Sequence, residues 1–249
     1  MISKHIFYNL NKYVFIFIKM NSRQQVDFAY DEALRLVDKQ IDHFNSLQLD
    51  LENKKILEVG CGPLGRYTQH LISRGGIVTS LDVRSEHLEA LRINVPQVHD
   101  TIVGDMNTEC IKDTYDIIFS IGNLYHLEKP AEAIKHMSEK SSEYLFISTA
   151  VNRGDKDVDF VSECKEDTAQ AFNGIGCRPS REWIYNELRK YFKYVLIPRT
   201  QPNYIDFIID WRPEHMHHHT QRFIIVGTNN RDNFSNELWS DELLSLQTR

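Results

Sequence analysis

A chain of 249 residues accommodates one large domain with elaborations, and its 41% hydrophobic and 26% charged content is that of a globular protein rather than a disordered one. The net charge of -6 argues against a phosphate-coating surface, and hence against a nucleic-acid partner, which needs a basic excess. Four scattered cysteines without a CxxC pair fit a reducing, cytoplasmic compartment and give no zinc-ligand spacing.

Residues 1–21 read as a loosely ordered extension. The apolar run from Ile6 to Ile18 is broken by Asn9, Asn11 and Lys12, and is too short and too polar for stable membrane insertion. No small-residue cleavage site follows it. The domain-like pattern begins just after Met20, itself a possible start. A helix is expected from Arg23 to Leu47, with Val26, Ala29, Tyr30, Ala33, Leu34, Val37, Ile41 and Phe44 on one side.

From there strands and helices alternate. Apolar runs predict strands at Lys55–Val59, Ile77–Asp82, Thr101–Gly104, Asp116–Ile121, Tyr144–Thr149, Tyr194–Pro198 and Arg222–Gly227. Helical patterns fall at Arg66–Arg74, Glu86–Ile93, Ala131–Glu139 and Arg181–Tyr191, the last with Ser180 as N-cap. This alternation predicts an α/β fold: a doubly wound, seven-stranded, mainly parallel sheet whose last strand is antiparallel. A domain over 22–228 carries two inserts, 150–179 and 200–221, which leave the carboxyl ends of strands five and six. Ligands bind at that edge in open α/β sheets. The inserts hold Phe160, Phe172, Tyr204, Phe207 and Trp211, which are costly to leave in water, so they are expected to roof a pocket. The polar tail, 229–249, reads as peripheral.

The first strand breaks into Gly60, Gly62 and Gly65 and opens a helix, a device that brings bare backbone to a ligand. Asp82 follows about 20 residues later, as in dinucleotide-binding units. The spacing alone admits a nicotinamide cofactor. Against that stands Glu58, immediately ahead of the turn, where a carboxylate suits an ammonium group and repels a pyrophosphate. A second acid, Asp105, ends strand three, and strand four continues into Asp116-Ile-Ile-Phe-Ser-Ile-Gly-Asn-Leu-Tyr-His-Leu127.

With Leu57-Glu-Val-Gly-Cys-Gly62, Ser80-Leu-Asp-Val83, Gly104-Asp-Met106 and Leu124-Tyr-His-Leu127, the chain resembles the class I S-adenosylmethionine-dependent methyltransferases, in particular the broad type 11 group, over roughly 53–228. The resemblance implies S-adenosyl-L-methionine as cofactor. It places Glu58, Gly60, Cys61 and Gly62 along the methionine part, and Asp82 with Val83 at the ribose. Asp105 and Met106 fall at the adenine, and Ser120, Ile121 and Gly122 near the sulfonium. Deprotonating a hydroxyl acceptor asks for a base near working pH, for which His126 is the candidate, with Tyr125 walling the methyl site.

Arg178, Tyr204 and Trp211 are candidate substrate contacts, whereas Arg181 reads as a solvated helix residue. Asp206, Asp210, Arg212 and Glu214 could meet sugar hydroxyls. His215, His217, His218 and His219 lack the spacing of a metal site, so no metal is expected. The reading is an enzyme that O-methylates a small polar molecule or a sugar unit. Its alternatives are an RNA-modifying (tRNA) enzyme of the same fold and a non-catalytic cofactor-binding partner subunit.

Overall fold

A computed structural model describes residues 31–215 and 220–249. The first part of the predicted opening helix, the 1–21 extension and His217 to His219 lie outside the described residues. Helix α1 covers Asp31–Ser46. Strand β1 (Lys55–Val59), helix α2 (Arg66–Ser73), strand β2 (Ile77–Asp82), helix α3 (Ser85–Asn94) and strand β3 (Asp100–Val103) follow. Then come β4 (Tyr115–Ile121), a single 3-10 turn over Leu124–His126, α4 (Pro130–Lys140) and β5 (Ser141–Val151). The second half holds β6 (Val158–Ser162), β7 (Ile175–Pro179), α5 (Arg181–Leu188), β8 (Tyr194–Pro198), β9 (Gln221–Thr228) and β10 (Trp239–Ser240).

The main sheet runs β10-β8-β9-β5-β4-β1-β2-β3. Strands β1 to β5 pair in parallel, while β9 runs antiparallel to both β5 and β8. The chain builds outward from β1 to β3, then returns to the other side of β1 with β4. The strand order therefore reverses between β1 and β4, where a crevice opens at the carboxyl edge.

Side-chain alternation sorts each strand between two cores. Leu57 and Val59 of β1 face a cluster with Ile134 and Met137 of α4 and Ile184 and Leu188 of α5. Ile56 faces the opposite cluster, with Phe44 of α1 and Leu71 of α2. Both faces are thus covered, which is why β1 is buried on both sides from Ile56 to Val59.

Three expectations change. The sheet has eight strands, because Trp239 and Ser240 pair antiparallel with Pro198 and Ile197. The tail is accordingly not peripheral: Trp239 and Phe234 are buried and pack edge-to-face, and Gln247 accepts from Trp211 Nε1 at 2.7 Å. Its polar average concealed a few anchoring apolar residues. The 150–179 insert is not a plain loop either, since β6 and β7 form their own two-stranded hairpin.

Ser180 caps α5 as expected, its hydroxyl accepting from the Trp183 N–H at 3.0 Å. Arg181 is not solvated. Its guanidinium stacks 4.0 Å from the Trp211 ring centroid and donates to the Leu244 carbonyl. Burial lowers its pKa to about 9. Among the described residues, no helix is long and apolar enough to cross a membrane.

Candidate active site

The crevice at the β1/β4 reversal holds a cleft of about 670 Å³. Its floor is the turn after β1. Gly60 and Gly62 adopt left-handed φ of 75° and 60°, and Gly60 N–H donates to the Leu81 carbonyl at 2.7 Å. A Cβ on Gly60 would stand 2.6 Å from Asn123 Nδ2, so sterics and φ both demand glycine there. Cys61 also lines the floor. Burial, with the charges of Glu58 and Asp82, pushes its thiol well above the ordinary range, so it is an inert packing group rather than a nucleophile.

Asp82 ends β2 at the cleft wall, with Val83 beside it. Its Oδ2 accepts from the Gly62 N–H at 3.0 Å and its Oδ1 from the Arg84 N–H at 2.9 Å. His87 Nδ1 lies 3.2 Å from the same Oδ1. Both oxygens are thereby fixed in position, and each retains acceptor capacity for a further donor. Asp105 and Met106 form the next stretch of wall, where Asp105 Oδ1 receives the Asn107 backbone and side-chain N–H groups at 2.9 Å. Ile121, Gly122 and Asn123 close the floor from β4.

Glu58 is displaced from its expected place. It does not line the cleft. The alternation that sends Leu57 and Val59 to one face sends Glu58 under α2. There Oε2 accepts from the Thr68 and Ser80 hydroxyls, at 2.5 and 3.0 Å. Burial raises its pKa to about 7 against the lowering effect of those hydroxyls. Ser120 also stays beneath the surface, fully buried on the side of Ile118. Trp211 is a core residue packed on Phe223, away from the cleft.

The other half of the cleft is built from the inserts and α1. Asp167 to Gln170, Phe172 and Arg178 come from the first insert, and Tyr204, Asp206 and Thr220 from the second. Phe172 is half exposed and carries the Arg84 guanidinium 5.1 Å from its centroid, while Phe160 is exposed on the hairpin. From below, Gln40 of α1 accepts from the Tyr67 hydroxyl at 2.5 Å and donates to Ser148 Oγ at 2.9 Å. Arg66 turns to Asp38 of α1.

His126 sits on the 3-10 turn after β4 and lines the cleft. Its Nδ1 lies 2.5 Å from Glu163 Oε2. Glu163, at the start of the link between β6 and β7, also receives the Ala171 N–H at 2.7 Å and lies 3.3 Å from Arg178 Nη1. Burial pushes the Glu163 carboxyl upward, but His126, Ala171 and Arg178 together outweigh it and hold the pKa below the ordinary value. The carboxylate therefore accepts from Nδ1–H, which leaves Nε2 as the unprotonated nitrogen of a neutral ring. Tyr125 packs 4.1 Å from the His126 ring, and the Arg178 guanidinium stands over it.

Glu163, Asn123 and Gln40 carried no signal in the linear pattern. Glu163 meets His126 only because the hairpin folds back over the turn.

The residues fit an adenosine-containing sulfonium cofactor. The Gly60 cradle would be filled by a Cβ, the Asp82 carboxylate is braced at the end of β2, and Asn123 Oδ1 is buried with no hydrogen-bond partner among the described residues. No cluster of three or more potential metal ligands occurs among the described residues.

Fold and crevice together agree with the resemblance to class I S-adenosylmethionine-dependent methyltransferases that the motifs carry. Residues 57–139, a third of the chain, match the family model described as a methyltransferase domain. Over 112 residues it is 31% identical to a ubiquinone biosynthesis O-methyltransferase of Vibrio campbellii, covering 41% of this chain and 46% of that one. The protein of the same name from Vibrio vulnificus is 29% identical over 135 residues, covering 47% and 56%. The chain thus spans about half the length of the curated relatives it matches.

Among solved structures, the N-terminal domain of EvdMO1, crystallised with S-adenosylhomocysteine and D-fucose, superposes with a TM-score of 0.60. It is 16% identical and covers 80% of this chain and 84% of that one. A Mesorhizobium loti S-adenosylmethionine-dependent methyltransferase gives 0.55 at 14% identity, covering 77% and 99%. Both likenesses are of fold.

Proposed function

We propose that this protein is an S-adenosylmethionine-dependent O-methyltransferase acting on a small molecule. The observation that carries the reading is His126, lining the cleft with a glycine turn and a braced Asp82 and held at Nδ1 by the buried Glu163. The O-methyltransferase names of the matching relatives support the same chemistry.

When bound, S-adenosylmethionine supplies an electrophilic methyl group whose bond to sulfur breaks, with its electron pair returning to sulfur, as the bond to oxygen forms. Asp82 would hold the ribose hydroxyls, a bidentate task suited to a carboxylate. Asp105, with the Met106 N–H, would serve the adenine. Glu58 acts at a distance, as a buried carboxyl beneath the floor.

His126 Nε2 would take the acceptor proton as the oxygen attacks, and Glu163 would stabilise the imidazolium and keep Nε2 on the cleft side. Such proton transfer typically contributes roughly 10²–10⁴-fold. Tyr125 and the inserts shape the remaining wall and exclude water from the reacting oxygen, and positioning of this kind supplies much of the rate.

The test is direct. The purified protein is titrated with S-adenosylmethionine in a calorimeter, then incubated with a panel of small hydroxyl compounds while S-adenosylhomocysteine is measured. Saturable binding with hydroxyl-dependent turnover is expected. A vacant titration, or methyl transfer to nitrogen or carbon acceptors alone, would overturn the reading.

A further inference from the structure

One end of the cleft carries a cation that the proton-transfer pair does not use. Arg222 is the second residue of β9, and its Cα partner is Ala150 near the end of β5. Because β9 runs antiparallel, its beginning lies at the carboxyl edge of the parallel strands. The glycine turn, Asp82 and Asp105 stand over β1, β2 and β3, so Arg222 belongs to the acceptor half of the crevice.

Its side chain is only 13% exposed, yet it lines the cleft. Asp206 is tied to the same turn, with its carbonyl accepting the Arg222 N–H at 2.8 Å and its Oδ2 3.4 Å from Nε. The guanidinium carbon lies 5.2 Å from the Tyr125 ring centroid, and the Tyr125 hydroxyl is a further partner. Among the described residues, no carboxylate engages either terminal nitrogen. A guanidinium offers five donors in a fixed fork that matches a carboxylate.

We propose that Arg222 anchors a carboxylate on the acceptor, so that the substrate is a compact hydroxy acid. This rests on the methyltransferase reading above. Tyr125 links the two groups: the His126 ring packs against it at 4.1 Å and Arg222 stands over it at 5.2 Å. The proton-transfer site and the anion site therefore share Tyr125 as a common neighbour, which calls for a compact acceptor. Asp206 holds Nε and the Tyr125 hydroxyl takes a further donor, while the guanidinium still lines the cleft where an anion would enter.

The experiment uses the full chain saturated with S-adenosylhomocysteine and compares 3-hydroxybenzoate with 3-hydroxybenzamide by ligand-observed NMR. The acid is expected to bind at least tenfold more tightly than the amide. Arg222→Met should abolish that preference and Arg222→Lys should restore part of it, with S-adenosylhomocysteine affinity unchanged in both. Equal binding of acid and amide, binding of neither, or a preference that survives in Arg222→Met would overturn the inference. Loss of S-adenosylhomocysteine affinity in Arg222→Met, with native melting, would assign the guanidinium to the cofactor instead; it would overturn the acceptor site and leave the methyltransferase reading intact. Failure of the wild-type chain to bind S-adenosylhomocysteine would remove both.

Discussion

Glu163 lies 2.5 Å from His126 across 37 residues of sequence, joining the hairpin between β6 and β7 to the turn that ends β4. A carboxylate held at Nδ1 selects one tautomer and one ring orientation. The hairpin is thereby part of the proposed chemistry as well as a cover.

His126→Ala should lower kcat by roughly 10²-fold or more, within the range of general base catalysis. Glu163→Gln, which keeps shape but removes the charge, should lower kcat with little change in KM for the cofactor. The double variant should be no slower than His126→Ala alone, because Glu163 acts through His126. Steady-state kinetics on the three proteins check this, and full turnover in His126→Ala would reject the base.

Asp82→Ala should weaken S-adenosylmethionine binding by more than tenfold, since hydrogen bonds to a charged group are worth about 1.5–3 kcal/mol. Calorimetry reads the loss. The substitution also frees the Gly62 and Arg84 N–H groups that the carboxylate fixes. Asp82→Asn, which keeps an acceptor oxygen, should lose less.

Gly60→Val should abolish cofactor binding. The left-handed φ of 75° and the 2.6 Å approach to Asn123 leave no room for a branched side chain. Pairing it with Asn123→Ala should recover melting temperature in part but not binding. A normal titration of the single variant would refute the close approach.

Glu58 makes stability depend on pH with a definite sign. Its native pKa of about 7 exceeds the ordinary 4.5, so between those values the native state binds more protons than the unfolded chain. The contribution is complete below about pH 4.5 and is lost as pH rises through about 7. Glu58→Gln keeps an oxygen for Thr68 and Ser80 and removes the titration. Without cofactor it should be more stable than wild type at pH 8.5, by on the order of 3 kcal/mol, and the two should converge near pH 4.5. Melting curves at both pH values decide; a constant difference would reject the buried-carboxyl account.

The linear sequence determined the α/β alternation, the glycine turn and the acids closing β2 and β3, because those features depend on local periodicity and on backbone that tolerates no side chain. It also placed His126 and Tyr125 at the right edge of the sheet, since a residue following a parallel strand necessarily stands there. Tertiary structure decided the rest. Strand alternation, seen against real packing, put Glu58 under α2 instead of in the cleft, and Arg181 found its partners in Trp211 and the Leu244 carbonyl. Trp239 became an edge strand only by reaching β8. Glu163 and Arg222 acquired meaning through contacts to residues 37 and 97 positions away, and no pattern of nearest neighbours along a chain encodes contacts of that range.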